Sequence, residues 1–178
     1  MLKVIGSIVA VLFIAVAAIL VLAAMKPDTF RVQRTATIDA PPEKIFPLIN
    51  DFRAWGGWSP YEKKDPAMKR ALSGAAAGKG AVYAWEGDRN VGKGRIEIAE
   101  TSPPNKITIR LDMIEPIDAR NIVEFTLEPR GGATSVTWAM NGEVPYKAKI
   151  AHVIFDMDRM VGQDFEAGLA NLKAIAER

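Results

Sequence analysis

Residues 154–177 read IFDMDRMVGQDFEAGLANLKAIAE, and the spacing of their apolar side chains decides the fold. Ile154, Met157, Val161, Phe165, Leu169 (or Gly168), Leu172 and Ile175 recur every three or four residues, while Asp158, Arg159, Gln163, Glu166, Lys173 and Glu177 fall mostly off that line. The pattern predicts one long amphipathic helix, whose apolar stripe needs a partner surface of similar length.

That surface is supplied upstream, where the period is two. Ala81 to Glu86 puts Tyr83 and Trp85 on one side, and Gly94 to Ile98 does the same with Ile96 and Ile98. Ile107, Ile109, Leu111 and Met113 share a face, as do Val123, Phe125 and Leu127, and then Val136, Trp138 and Met140. Polar residues such as Arg110, Asp112, Glu124, Thr126 and Thr137 oppose them, the mark of strands with one covered and one solvated face. Met68 to Leu72 is a further short candidate strand. Gly87 to Asn90, Ser102 to Asn105, and Gly131 with Gly132 are hairpin connections, so the runs form an antiparallel meander.

Before the meander, Phe30 to Ile38 alternates as a strand with Phe30, Val32, Arg34, Ala36 and Ile38 on one face. Asp39 to Pro42 stop it, and Glu43 to Ile49 is a short helix with Pro in its first turn. Asn50 to Tyr61 reads as one more helical turn running into a loop that carries Trp55, Trp58 and Tyr61.

From Val4 to Met25 no residue is charged, and 22 residues at ~1.5 Å rise give about 33 Å, enough for a hydrocarbon core of ~30 Å. Residues 1–26 are therefore expected to be a single-pass membrane anchor and 27–178 a single domain. A cleaved signal is the competing reading, with Lys3 as its basic start and Ala15, Val16 and Ala17 as its cleavage site. Lys3 and the terminal amine lie on one side of the segment and Lys26, Arg31 and Arg34 on the other; with Arg31 and Arg34 counting for less as part of a folded strand, the expected orientation is N-terminus cytoplasmic and domain extracytoplasmic.

The chain holds 23 basic and 21 acidic residues, and without Lys3 and Lys26 the balance is 21 against 21. A neutral domain has no basic face for nucleic acid. With no cysteine and only His152, thiolate or histidine-rich metal sites, cysteine nucleophiles and disulfides are excluded, and no cofactor is expected. Gly87 to Lys93 matches part of a phosphate-binding loop, but Gly94 follows where Ser or Thr is needed, and a strand follows where a helix is needed.

The order of strand, short helices, six-stranded meander and long C-terminal helix resembles the helix-grip fold of the START-like (SRPBCC) superfamily, in particular its polyketide cyclase/dehydrase and lipid-transport group. The resemblance covers nearly all of residues 30–177. It is carried by Ile38, Ala40, Pro41, Pro42, Glu43, Ile45 and Phe46, by Asn50 to Phe52, Trp55 and Trp58 to Pro60, by Gly80, Ala81, Tyr83, Trp85, Gly87, Gly92 and Gly94, and by Trp138, Met157, Gly162, Phe165 and Gly168. It implies an α+β domain in which a curved antiparallel sheet wraps the C-terminal helix, with a cavity between them.

The inward faces then supply candidate ligand-binding residues: Tyr83, Trp85, Met113, Phe125, Trp138, Met140, Met157, Val161 and Phe165, which suit an apolar ligand or, equally, a packed core. Arg34, the one charge on an apolar face, either anchors a ligand oxygen or snorkels to the surface. Trp55, Trp58 and Tyr61 are either a lid or a membrane-surface contact, or else Trp55 and Trp58 plug one end of the core. His152 is a helix-start histidine or a general acid or base at the cavity mouth. The expected function is a membrane-tethered carrier of a lipid, isoprenoid or aromatic molecule, binding rather than transforming it. A polyketide cyclase or dehydratase in the same cavity is the alternative, and oligomeric state is left open.

Overall fold

The structure, a computed structural model, describes residues 2–154 and 156–178; the side chains of residues 2–5, 151, 152 and 154 are not among those described. Seven strands form one antiparallel sheet in the order β1-β7-β6-β5-β4-β3-β2. They are β1 (Thr29–Ile38), β2 (Lys69–Gly74), β3 (Ala81–Glu86), β4 (Lys93–Ser102), β5 (Lys106–Glu115), β6 (Ala119–Arg130) and β7 (Ala133–Glu143). β2 to β7 are the expected meander, and β1 closes the far side by pairing with β7, with Phe30 opposite Gly142, Arg34 opposite Trp138 and Ile38 opposite Thr134. The expected face of β1 is the observed one: Val32 and Ile38 are buried, and Phe30, Arg34 and Ala36 half-buried, between exposed neighbours.

The helices are α1 (Leu2–Met25), α2 (Pro42–Asn50), α3 (Trp55–Trp58), α4 (Tyr61–Lys64), α5 (Tyr146–Ile154) and α6 (Met157–Ala176), with a 3-10 turn at Phe52–Ala54. The helical turn expected after Asn50 is present, and the loop expected to follow it is wound into further short helical turns. The Asp51 carboxylate starts them by accepting from the N–H of Arg53 at 2.9 Å.

The single C-terminal helix expected from the stripe is two helices. Asp156 caps α6, its carboxylate accepting from the Arg159 N–H at 3.0 Å, and a side chain that satisfies the backbone in this way ends the run before it. α5 packs against α1, and α6 lies along β1 and the adjoining part of β7. Its C-terminal end is held at Ile38: Glu177 accepts from the Asp39 N–H at 2.7 Å, and Lys173 donates to the Thr37 carbonyl at 2.7 Å.

The sheet has two unlike ends. At the far end lie Ile38, the β6–β7 hairpin and the C-terminus of α6. At the other, the α1 end, β1 begins three residues after α1 stops, and the β3–β4 and β5–β6 hairpins turn there because Gly94 pairs with Met113 and Met113 with Ala119.

Candidate ligand-binding site

Cross-strand pairs divide the concave face into rows. Ile107, Phe125, Trp138 and Arg34 form one row, Val123, Met140 and Val32 the next, then Leu111, Asn121, Gly142 and Phe30, and last, at the α1 end, Trp85, Gly94, Met113 and Ala119. The first row is closed by aromatic rings. Trp138 stacks on Phe165 of α6 with centroids 4.1 Å apart, and Phe125 lies 4.9 Å from Trp138, tilted by 33°. Trp58 meets both edge-on, at 5.6 Å from Trp138 and 6.0 Å from Phe125, and Trp55 continues the chain to Phe52 and Tyr83. Offset and edge-on pairs of this kind add about 0.5–1.5 kcal/mol each beyond the area they bury.

Phe125, Trp138 and Phe165, expected as candidate cavity walls, are therefore ring against ring here. Trp55 and Trp58 are buried, and their indole N–H groups donate to the carbonyls of Ile49 and Leu48, each at 2.9 Å. In this structure they are a plug. α6 comes this close because two of its positions carry no side chain: a β-carbon on Gly168 would stand 2.6 Å from the Trp138 ring, and one on Gly162 2.0 Å from Arg34 Nη2.

Cover thins towards the α1 end. Phe30, Trp85, Leu111, Met113 and Ala119 are only half-buried, as are Met157 and Val161 at the start of α6, and Met160 is exposed. The floor is low there. Gly94 and Gly142 have no side chain, and Trp85 lies across Gly94 while Asn121 lies across Gly142, beside the edge of Phe30. Trp85 is fixed by donating to the Val91 carbonyl at 3.0 Å. On this inner face Asn121 Oδ1 and Trp138 Nε1 have no hydrogen-bond partner among the described residues, although both residues are buried. Met140, also buried, lies between their rows.

Arg34 does stand on the inner face, at the sheet edge under α6, but its donors are spoken for. Nε donates to Glu166 at 2.7 Å, Nη1 to Asp158 and to the Gln33 carbonyl, and Nη2 to the Asp158 carboxylate and carbonyl, both at 3.0 Å. These bonds raise the guanidinium above its ordinary value, those to Asp158 most. Arg34 fastens α6 to β1.

A second cluster has no counterpart in the sequence reading. The Tyr83 hydroxyl donates to Glu62 of α4, whose other oxygen accepts from Arg70 Nε at 2.6 Å. Burial first, and then the Glu62 bond, push the Tyr83 phenol up. Twenty-one residues separate the partners, so no local spacing could have paired them. His152 lies outside the residues whose side chains are described. Among the described residues no three His, Cys, Asp or Glu side chains gather as a metal site would require.

Surface grooves lie elsewhere on the described residues. One of about 210 Å³ runs between Asp51–Arg53 and the β2–β3 turn; another, of about 410 Å³, lies between α1 and α5 and is lined by Leu22, Met25, Lys26 and Val153. Neither lies under α6.

Residues 29–177 match the family model described as polyketide cyclase / dehydrase and lipid transport. The chain belongs to this family. No curated protein is similar to it in sequence. Among solved structures, the protein CV1439 from Chromobacterium violaceum is 17% identical with a TM-score of 0.59, over 86% of this chain and 99% of that one. The di-domain ARO/CYC BexL of the BE-7585A biosynthetic pathway is 13% identical with a TM-score of 0.61, over 88% of this chain and 53% of that one. The Aha1 dimer from Colwellia psychrerythraea is 16% identical with a TM-score of 0.55, over 83% and 96%. Likeness at this level shows the shared helix-grip fold and leaves activity to the site itself.

Proposed function

We propose that this member of the polyketide cyclase / dehydrase and lipid transport family is a membrane-tethered binding domain, with residues 1–26 as the anchor and 27–178 as the domain, on the extracytoplasmic side. It holds an apolar small molecule, a lipid, isoprenoid or aromatic, on the inner face of the sheet. The carrying observation is that the inner face stays half-buried at the α1 end, at Phe30, Trp85, Leu111 and Met113, as do Met157 and Val161 at the start of α6. Of the expected ligand contacts, the proposal keeps Trp85, Met113, Met140, Met157 and Val161 as walls; Tyr83, Phe125, Trp138 and Phe165 support them from the packed interior. The unpartnered Asn121 Oδ1 beside Phe30 would accept one hydrogen bond from an otherwise apolar ligand. α1 supplies the tether: Gly6–Met25 has a mean hydropathy of 3.2, and only 6% of its most apolar window is buried.

The test is native mass spectrometry of the full-length chain extracted in mild detergent. A co-purifying apolar molecule, lost in a Met113→Glu variant that still folds, is the expected result. An empty chain that quenches no tryptophan fluorescence on addition of lipids would remove the proposal. Protease protection in sealed vesicles reports the side on which the domain lies.

One observation favours an enzymatic reading, a cyclase or dehydratase acting on a polyketide-like substrate in the same hollow. Tyr83 and Glu62 bring a phenol and a carboxylate together at the inner face, and the raised phenol stays protonated, a hydrogen-bond donor to an oxygen. Here that bond already goes to Glu62. Tyr83→Phe separates the readings, since it leaves binding intact in a carrier and abolishes turnover in an enzyme.

A further inference from the structure

We infer that the β5–β6 hairpin is a second membrane contact, its tip lying in the surface of the bilayer that α1 enters, with Ile114 and Ile117 against lipid. The inference rests on the tethered reading above and adds the orientation of the domain. Ile114 and Ile117 are 51% and 62% exposed, one large aliphatic residue at the end of β5 and one in the turn that follows it. Single exposed aliphatics are ordinary; their place on the molecule is what matters.

The register puts them at the α1 end. Met113 pairs with Ala119, Asn121 with Gly142, and Gly142 with Phe30, the second residue of β1. The hairpin is thus two to three strand spacings from β1, where α1 joins, roughly 10–14 Å at the usual strand spacing.

The joint to α1 is fixed as well. Only Lys26, Pro27 and Asp28 intervene between helix and strand. The Val144 N–H donates to the Asp28 carbonyl at 2.7 Å, and the buried Lys149 ammonium donates to the Asp28 carboxylate at 2.6 Å. Ala23 is fully buried, whereas residues 6–18 are exposed, so α1 leaves the domain from this end. The Tyr146 hydroxyl donates to the Leu20 carbonyl at 3.0 Å. Leu20 stands about 7.5 Å up the helix from Met25, a depth typical of interfacial segments. Tyr146 and Lys147, both exposed, are residue types that settle at that level. With α5 at the interface, the neighbouring hairpin of the same end comes to the same surface.

Glu115 and Asp118 flank the tip, so the contact is aliphatic insertion and not attraction to anionic lipid. It should form on zwitterionic phosphatidylcholine and be indifferent to salt.

The chain contains no cysteine, which allows single labels to be placed without background. Full-length Asp118→Cys, Val9→Cys and Arg130→Cys, each carrying an environment-sensitive fluorophore, would be reconstituted in phosphatidylcholine vesicles with nitroxide-labelled lipid. Expected are strong quenching at position 9, quenching at position 118 several-fold above that at position 130, and its fall to the position-130 level when Ile114→Ser and Ile117→Ser are added. Circular dichroism of that variant verifies the fold. Quenching at 118 no greater than at 130 while position 9 is quenched would overturn the hairpin contact alone. No quenching at position 9 would overturn the tether, and the hairpin contact with it.

Discussion

The Arg34 guanidinium lies directly beneath Gly162, so close that a β-carbon there would stand 2.0 Å from Nη2 and 2.3 Å from Cζ. The edge strand and the C-terminal helix meet at this point. The missing side chain lets Arg34 reach both Asp158 and Glu166 on the helix above it.

Gly162→Ala is therefore expected to destabilise the domain by about 1–3 kcal/mol, the usual cost of overpacking, despite the better helix propensity of Ala. Gly168→Ala should cost more, because its neighbour is the packed Trp138 ring and not the end of a flexible side chain. Gly56→Ala, with nothing within 4 Å, should be neutral or mildly stabilising. Urea midpoints of the three variants check the order.

Trp58→Ala should cost about 3–5 kcal/mol, the usual range for removing a fully buried large aromatic, and it also leaves the Leu48 carbonyl without its partner. A broadened or lost unfolding transition is the expected readout. Unchanged stability with altered lipid uptake would instead make Trp58 a gate.

Acid should release α6 from β1. The bonds from Arg34 hold the Asp158 carboxyl below its ordinary value, and the Asp39 N–H, followed by Lys173, does the same for Glu177. A carboxyl lowered on folding stabilises above its unfolded value, about 4, and that contribution is lost as pH falls through the folded value. Urea midpoints measured down a pH series should decline below about pH 4, and less steeply in Asp158→Asn/Glu177→Gln.

The tyrosines give the opposite sign. Burial raises the Tyr61 and Tyr83 phenols, so their contribution is full below the ordinary phenol value of about 10 and is lost as pH rises through the raised folded values. Tyr61→Phe and Tyr83→Phe should therefore leave the phenolate absorbance of the folded protein unchanged up to about pH 10. A decrease there in either variant would mean that its phenol is already ionising in the folded chain.

The faces of the sheet were legible because alternation is local: Val32, Ile109, Val123 and Val136 each reveal their side within a few residues. The α5–α6 break was not, since Met157 and Val161 continue the three-four spacing across it, and a capping Asp156 looks like any polar residue off the stripe. The candidate site was legible as a set of inner-face residues but not as to which of them pack and which stay half-open. That distinction depends on rings arriving from elsewhere in the chain, Trp58 onto Trp138 and Phe165 onto Trp138. Arg34 shows the same limit. Its face was readable, but its partners lie 124 and 132 residues away.

The three residues between α1 and β1 reach about 10 Å at full extension, well short of a bilayer's thickness. On the proposed reading of a membrane-tethered carrier, so short a leash keeps the domain from ferrying cargo across an aqueous gap. It can exchange only with the leaflet beneath it, or with a neighbour that drifts past in the same plane, so delivery becomes a problem of lateral encounter.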